Sequence, residues 1–401
     1  MLAERFEDSF SACRSVLALV LALVATVGVN AEDARLAQLR DLLVPMRANN
    51  LDYPRPEFTT AKHLLRDWIE SRLGTVRVNT DLASLSKQLN DELTLKGLSV
   101  KSTLDNSTGY VGDVTLEFQQ GFLVVRVGLG VLCATDESAY AYRFKEGHWK
   151  RYWQSEQNDY RKDKYFPQTF QAVLISRQLP DPVFRNEHVD RSEHLVLTLG
   201  FETWCASNWH NVYYRVWQTG DRYPEPKLLL SGFEWAWVED DPPIAGEVEP
   251  DEVLVEYIVN NTLSLGFHRP EVRHYKVNDS KIARVDPVAL GPKNFVAEWL
   301  DRPWLESAAW TESTHKAALG ARRQGGESLE PTMHCKQPDL WQVSTDKQFY
   351  LVRWKPPFHF TMVDVSDHPW PTCTEVDREA DEWRTMFRPP GWQWEKDSNS
   401  D

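Results

Sequence analysis

The sequence predicts a mainly β fold with an N-terminal helical segment, and three observations carry that prediction. Leu123–Lys145 and Leu195–Trp217 match without a gap at Leu123/Leu195, Val124/Val196, Gly128/Gly200, Cys133/Cys205, Ala134/Ala206, Tyr142/Tyr214 and Arg143/Arg215. Near Asn106 the apolar spacing changes from helical to alternating. Alternating runs then recur in successive groups, bounded by Gly, Pro, Asn and Asp. Repeats of four strands are the signature of propeller blades. The expected architecture is therefore a small, irregular β-propeller-like repeat of four-stranded units, with a two-sheet β-sandwich as the alternative.

The chain begins with an uncharged apolar run, Ser15–Ala31, that ends in small residues before Glu32. This is the pattern of a secretory signal peptide, although Glu4, Glu7 and Asp8 stand where basic residues are usual. Left uncleaved, so short a run is a marginal membrane anchor. The expected location is secreted or periplasmic, or anchored if the segment is retained.

Residues 32–98 read as helices. Leu36, Leu39, Leu42 and Leu43 form one stripe. Leu64, Leu65, Trp68, Ile69 and Leu73 form a second, with Thr59 or Thr60 as its cap and Gly74 as its stop. Leu82, Leu85, Leu89 and Leu93 form a third, from Thr80 to Gly97. A repeated β domain follows over 106–373, with units near 111–178, 193–240, 251–290 and 338–368 and a helical insert near 295–321. In the first unit the strand candidates are Leu123–Gly128, Ala139–Phe144, Trp149–Ser155 and Phe170–Ser176. Val111–Phe118 is expected to close a ring onto the last unit. Phe233, Trp235 and Trp237 alternate with Glu234, Ala236 and Val238, which implies one buried and one exposed face. Residues 374–401 form an acidic, aromatic tail whose end is expected to be disordered.

Composition narrows the function. The 401 residues carry a formal charge of −14, which argues against nucleic acid or anionic lipid as a partner. The 17 tryptophans suit half-buried strands and also faces that stack on sugars or peptides. Beyond the apolar run, Cys133, Cys205, Cys335 and Cys373 suggest two disulfides, with Cys133–Cys205 and Cys335–Cys373 the favoured pairing.

Four groups of residues are candidates for chemistry. The loops Cys133–Ser138 and Cys205–His210 offer Asp136, Glu137, Trp204, Asn208, Trp209 and His210 as ligand-binding residues. Tyr142-Arg143 and Tyr214-Arg215 suit strand packing. Glu239–Glu252 is dense in carboxylates but lacks the spacing of a calcium loop, so it reads as a solvated linker. His334, Cys335, His359, His368 and Cys373 have ligand types that suit zinc, at irregular spacing.

No G-x-S-x-G elbow, phosphate loop, dinucleotide fingerprint or H-E-x-x-H is present. Acids such as Asp136, Glu137, Glu156, Asp159 and Glu234 are too numerous for the sequence to select a catalytic pair. The leading expectation is an exported, non-enzymatic β-repeat protein, without a cofactor, that binds an unidentified protein or glycan ligand. The alternatives are a carboxylate-dependent hydrolase of glycans or cell-wall material, and a metal-binding exported protein.

Overall fold

The computed structural model describes residues 34–47, 57–99, 108–131, 134–158, 167–177, 193–202, 209–220, 225–237, 244–260, 268–278, 281–285, 289–312, 316–323, 332–355 and 359–375. The apolar run before Glu32, Cys133, Cys205 and the tail beyond Glu375 lie outside the described residues. The chain divides into two units, Met1–Thr169 and Phe170–Asp401. Among the described residues, no helix is long and apolar enough to cross a membrane.

In the first unit, α1 (34–47), α2 (Glu57–Leu73) and α3 (Leu82–Leu95) share one core with a four-stranded antiparallel sheet. The strands β1 (Thr115–Gln119), β2 (Phe122–Val131), β3 (Ala134–Lys145) and β4 (His148–Ser155) lie in chain order. Leu65, Trp68, Ile69 and Leu73 of α2 meet Leu123, Val125, Val127 and Leu129 of β2 in that core. Thr59 and Thr60 fall inside α2, which starts at Glu57, so neither caps it. Asp81, rather than Thr80, caps α3 by accepting the Ala83 amide at 3.1 Å. Gln120-Gly121, between β1 and β2, and Glu146-Gly147, between β3 and β4, all have positive φ. Both central residues of each turn are thus left-handed, as a two-residue turn between right-twisting strands requires.

The second unit holds three further sheets. β5 (Gln168–Ile175), β6 (Glu193–Glu202), β7 (Trp209–Gly220) and β8 (Lys227–Trp237) form one meander. β9 (Ile244–Glu249), β10 (Glu252–Asn260), β11 (His268–Asn278) and β12 (Lys281–Arg284) form the next. These two sheets share an apolar core of Leu195, Leu197, Leu199, Val212, Tyr214 and Val216 with Val253, Val255, Tyr257 and Tyr275. The last sheet has the order β16-β15-β14-β13-β17, from β13 (Met333–Cys335), β14 (Leu340–Ser344), β15 (Phe349–Lys355), β16 (His359–Ser366) and β17 (Cys373–Glu375). It packs on α4 (Pro292–Asp301) through Phe295, Trp299, Trp341, Tyr350 and Phe360. The short helices α5 (Trp304–Ala309) and α6 (Lys316–Ala321) follow. Pro303 separates α4 from α5, so the expected single helical insert is broken.

The chain is thus mainly β, with four antiparallel sheets and N-terminal helices, and no closed barrel or propeller is seen among the described residues. Three expectations need correction. Phe170–Ser176 does not complete the first unit: as β5 it pairs with β6 and opens the second sheet. Val111–Phe118 does not close a ring onto the last unit, because β1 pairs with β2 and Val111 bridges to Leu129. The ungapped sequence match does not carry over as register. Leu123 faces Tyr142 in β2–β3, whereas Leu195 faces Gln218 and Tyr214 faces Leu199 in β6–β7. An even displacement leaves every side chain on its original face, so both hairpins still turn the same alternating residues to a core.

Candidate ligand-binding site

Both candidates from the first loop prove to be strand residues. The β2–β3 ladder runs to Val131↔Ala134, so Asp136 and Glu137 belong to β3. Asp136 is fully buried, and its Oδ2 accepts from Lys62 Nζ at 2.8 Å. Lys62, itself 2% exposed, also donates to the Gln157 carbonyl at 3.0 Å. Lys62, Arg66 and Glu70 stand four residues apart along α2 and form a polar stripe against the sheet. Arg66 Nη1 reaches Glu156 at 3.2 Å, and the Tyr140 hydroxyl donates to the same carboxylate at 2.6 Å. Glu70 accepts from the Tyr142 hydroxyl at 3.3 Å and pairs with Arg151. Four helical residues rise ~6 Å and two strand residues ~6.8 Å, so Arg66 and Glu70 stay in step with Tyr140 and Tyr142. Burial and the neighbouring Glu156 carboxylate push the Tyr140 hydroxyl well above its ordinary pKa. Each acid in this set faces a cation. The network ties a helix to a sheet.

In the second hairpin, Trp204 and Asn208 lie outside the described residues, as does the side chain of Trp209. His210 is in β7 and buried, with Nδ1 3.0 Å from the Glu202 carbonyl and its ring against Phe201. It faces the core, not a ligand.

The C-terminal Cys/His set loses its thiolates, because Cys335 and Cys373 pair across β13–β17 as a disulfide. This is the pairing expected from sequence, and it leaves neither sulfur as a metal ligand. His334 lies on the Trp341 ring, His359 lies near His274, and His368 is exposed beyond β16. Among the described residues, no three acidic, His or Cys side chains are placed to hold a metal ion. The stretch Glu239–Glu252 is not a linker throughout, since Ile244–Glu249 is β9 and pairs with β10.

A second ionic cluster lies in the other unit. Arg273 of β11 is buried and meets Glu271, Glu298 of α4 at 3.0 Å, and Glu234 of β8 at 3.7 Å. Arg302 joins Glu271 at 2.9 Å and Glu298 at 3.3 Å. Arg284 adds 3.3 Å to Glu298. Burial opposes the charge of Arg273, but Tyr257, Glu298 and Glu234 outweigh it and raise its pKa. Three guanidiniums and three carboxylates thus balance one another, and the cluster clamps α4 to its neighbouring strands.

The face of the β5–β8 sheet opposite its core is exposed along β8 and buried at Thr198, Gly200, Glu202 and Tyr213. Phe233 and Trp235 of β8 are 55% and 51% exposed, while Ala236, on the other face, is buried. The alternation in β8 therefore places Phe233 and Trp235 outward, a phase that the sequence left open. Register aligns them with polar neighbours: Trp235 faces Asn211, which faces Glu202, and Phe233 faces Tyr213. Asn211 Nδ2 donates to Glu202 Oε2 at 3.0 Å. The Arg215 guanidinium lies over the Tyr213 ring at 4.9 Å from its centroid, and Phe170 of β5 meets Tyr213 edge-on. Burial pushes the Glu202 carboxyl above its ordinary pKa, against the pull of Asn211 and Arg215. Large exposed aromatics such as Phe233 and Trp235 can stack on a ligand. The alternating aromatics of β8 were the sequence signal for this face.

No known protein-family model matches the chain. No curated protein matches it in sequence.

Proposed function

We propose that the chain is an exported, non-enzymatic β-repeat protein that binds a protein or surface polymer through the outward face of its second sheet. The exposure of Phe233 and Trp235 carries this reading. Exposed aromatics on a strand cost solvation free energy unless a partner covers them, and aromatics dominate binding hot spots. Export is supported by the apolar run Ser15–Ala31 and by the Cys335–Cys373 disulfide, a bond typical of oxidising compartments. Four successive meanders of at least four strands each are compatible with irregular propeller blades. A hydrolase is less well supported, because Asp136 and Glu156 each face a cation. A metal role for the C-terminal set is less well supported because its sulfurs are bonded to each other.

The test compares the wild type with a Phe233→Ser/Trp235→Ser variant in co-sedimentation with cell-envelope material from the producing cell. Circular dichroism of both proteins checks that the fold is kept. The expected result is loss of sedimentation by the variant with an unchanged spectrum. Equal sedimentation of the two would remove this face as the binding site.

A further inference from the structure

We propose that the contact between β11 and β16, made by His274 and His359, is an acid-sensitive junction that loosens when its imidazoles take up protons. Within the second unit this contact joins the β9–β12 sheet to the last sheet.

The geometry favours neutral rings. His274 of β11 is 4% exposed, and its ring lies 5.8 Å, centroid to centroid, from the half-buried His359 ring of β16. Nε2 of His274 lies against the Glu252 carboxylate of β10. Nδ1 is sealed from solvent and has no hydrogen-bond partner among the described residues. A neutral imidazole has one N–H and needs one acceptor, and Glu252 stands at that position. An imidazolium carries two N–H groups, so charging His274 turns Nδ1 into a buried donor with no acceptor. Charging His359 as well sets two like charges side by side where little water screens them. Both costs fall on the closed junction and vanish once the strands part and the rings are hydrated.

Neighbouring charges do not reverse this balance. Leu254 of β10 pairs with His274, so Glu252 and Glu256 flank it on the same face, with Glu247 and Glu249 of β9 alongside. Lys276 of β11 pairs with Glu252 on that face, and Lys355 of β15 pairs with His359. Arg273 and its carboxylates belong to the other face of β11. Burial, helped by His359 and Lys276 and opposed by Glu252, holds His274 below its ordinary pKa of 6.5. The opened junction therefore binds a proton that the closed one refuses. The contact is fully kept above pH 6.5 and weakens as pH falls from there through the lowered value.

The experiment is hydrogen–deuterium exchange of the full-length protein at about pH 7.5 and about pH 5, on either side of an ordinary histidine pKa. Mass spectrometry follows peptides covering β11 and β16, with labelling times scaled to the intrinsic exchange rate. The opening constant of both strands should rise by up to about tenfold per pH unit for each proton taken up, while the β6–β7 hairpin keeps its protection. His274→Gln should flatten this rise. His359→Gln, which spares the buried position, should make it shallower. Glu252→Gln removes the charge that favours the imidazolium and should move the rise to lower pH. His368→Gln, at an exposed histidine beyond β16, should match the wild type. Equal exchange at the two pH values overturns the proposal, as does a rise that persists unchanged in both His274→Gln and His359→Gln. A rise shared equally by every strand of the unit reports global acid unfolding and also overturns it.

Discussion

Lys62→Met should destabilise the first unit severely. Lys62 and Asp136 are 2% and 0% exposed and lie 2.8 Å apart, so the substitution leaves a buried carboxylate without its cation. Arg66, one turn along α2, is committed to Glu156 and does not replace it. Breaking a buried pair on one side costs about 3–5 kcal/mol. For a unit of this size that lowers its melting temperature by roughly 6–20 °C. The assay is differential scanning calorimetry, with the first unit's transition followed separately because two units need not melt together. The double change Lys62→Met/Asp136→Leu removes both charges and should recover stability to within about 1 kcal/mol of the wild type, or exceed it. A single variant as stable as the wild type would refute the reasoning, as would a double variant no better than the single.

Other perturbations test other links. Gly232 faces Tyr214, and a Cβ there would lie 2.0 Å from the ring; Gly232→Ala should therefore cost about 1–3 kcal/mol by urea denaturation. It should also disturb the Tyr214–Tyr275 hydroxyl contact at 2.8 Å. The Cys335–Cys373 disulfide spans a separation of 38 residues, and chain entropy gives its loss a cost of about 4 kcal/mol. A reductant that leaves the second unit's thermal transition unmoved would contradict this. Glu202 has its folded-state pKa raised above the ordinary 4.5 by burial, so the folded state holds the proton longer than the unfolded chain. Wild-type stability should then fall as pH rises from 4.5 through the raised value. Glu202→Gln should be at least as stable as the wild type at neutral pH, with the difference vanishing below pH 4.5. A difference that grows on acidification would reverse the assigned sign.

Much of the secondary structure was legible because it depends on local periodicity. The leucine stripes of α1 to α3, the hairpins β2–β3 and β6–β7, and the shift from helix to strand near Asn106 all follow from spacing within a few residues. The Cys335–Cys373 pair was also accessible, since Cys133 and Cys205 occupy equivalent positions of the sequence match and leave the other two cysteines to each other. The acidic stretch before Glu252 hid β9, because its strand is short and its carboxylates resemble a linker. The first unit's boundary was misplaced because strand periodicity does not reveal which neighbour supplies the hydrogen bonds of β5.

By itself, then, the sequence determined the mainly β class with N-terminal helices and the order of most elements, and it favoured the C-terminal disulfide. Tertiary structure alone decided where polar residues end up. Lys62 reads as a surface lysine on an amphipathic helix until β3 brings Asp136 to it. Asp136 reads as a loop acid until the ladder extends past it. The alternation of β8 fixes that Phe233 and Trp235 share a face, but not which face meets the core. That choice belongs to the opposing sheet: Tyr257 and Tyr275 fill the space beside Tyr214 and Ala236, and the larger rings are left outside. Periodicity is a property of one strand, and burial is a property of two packed surfaces.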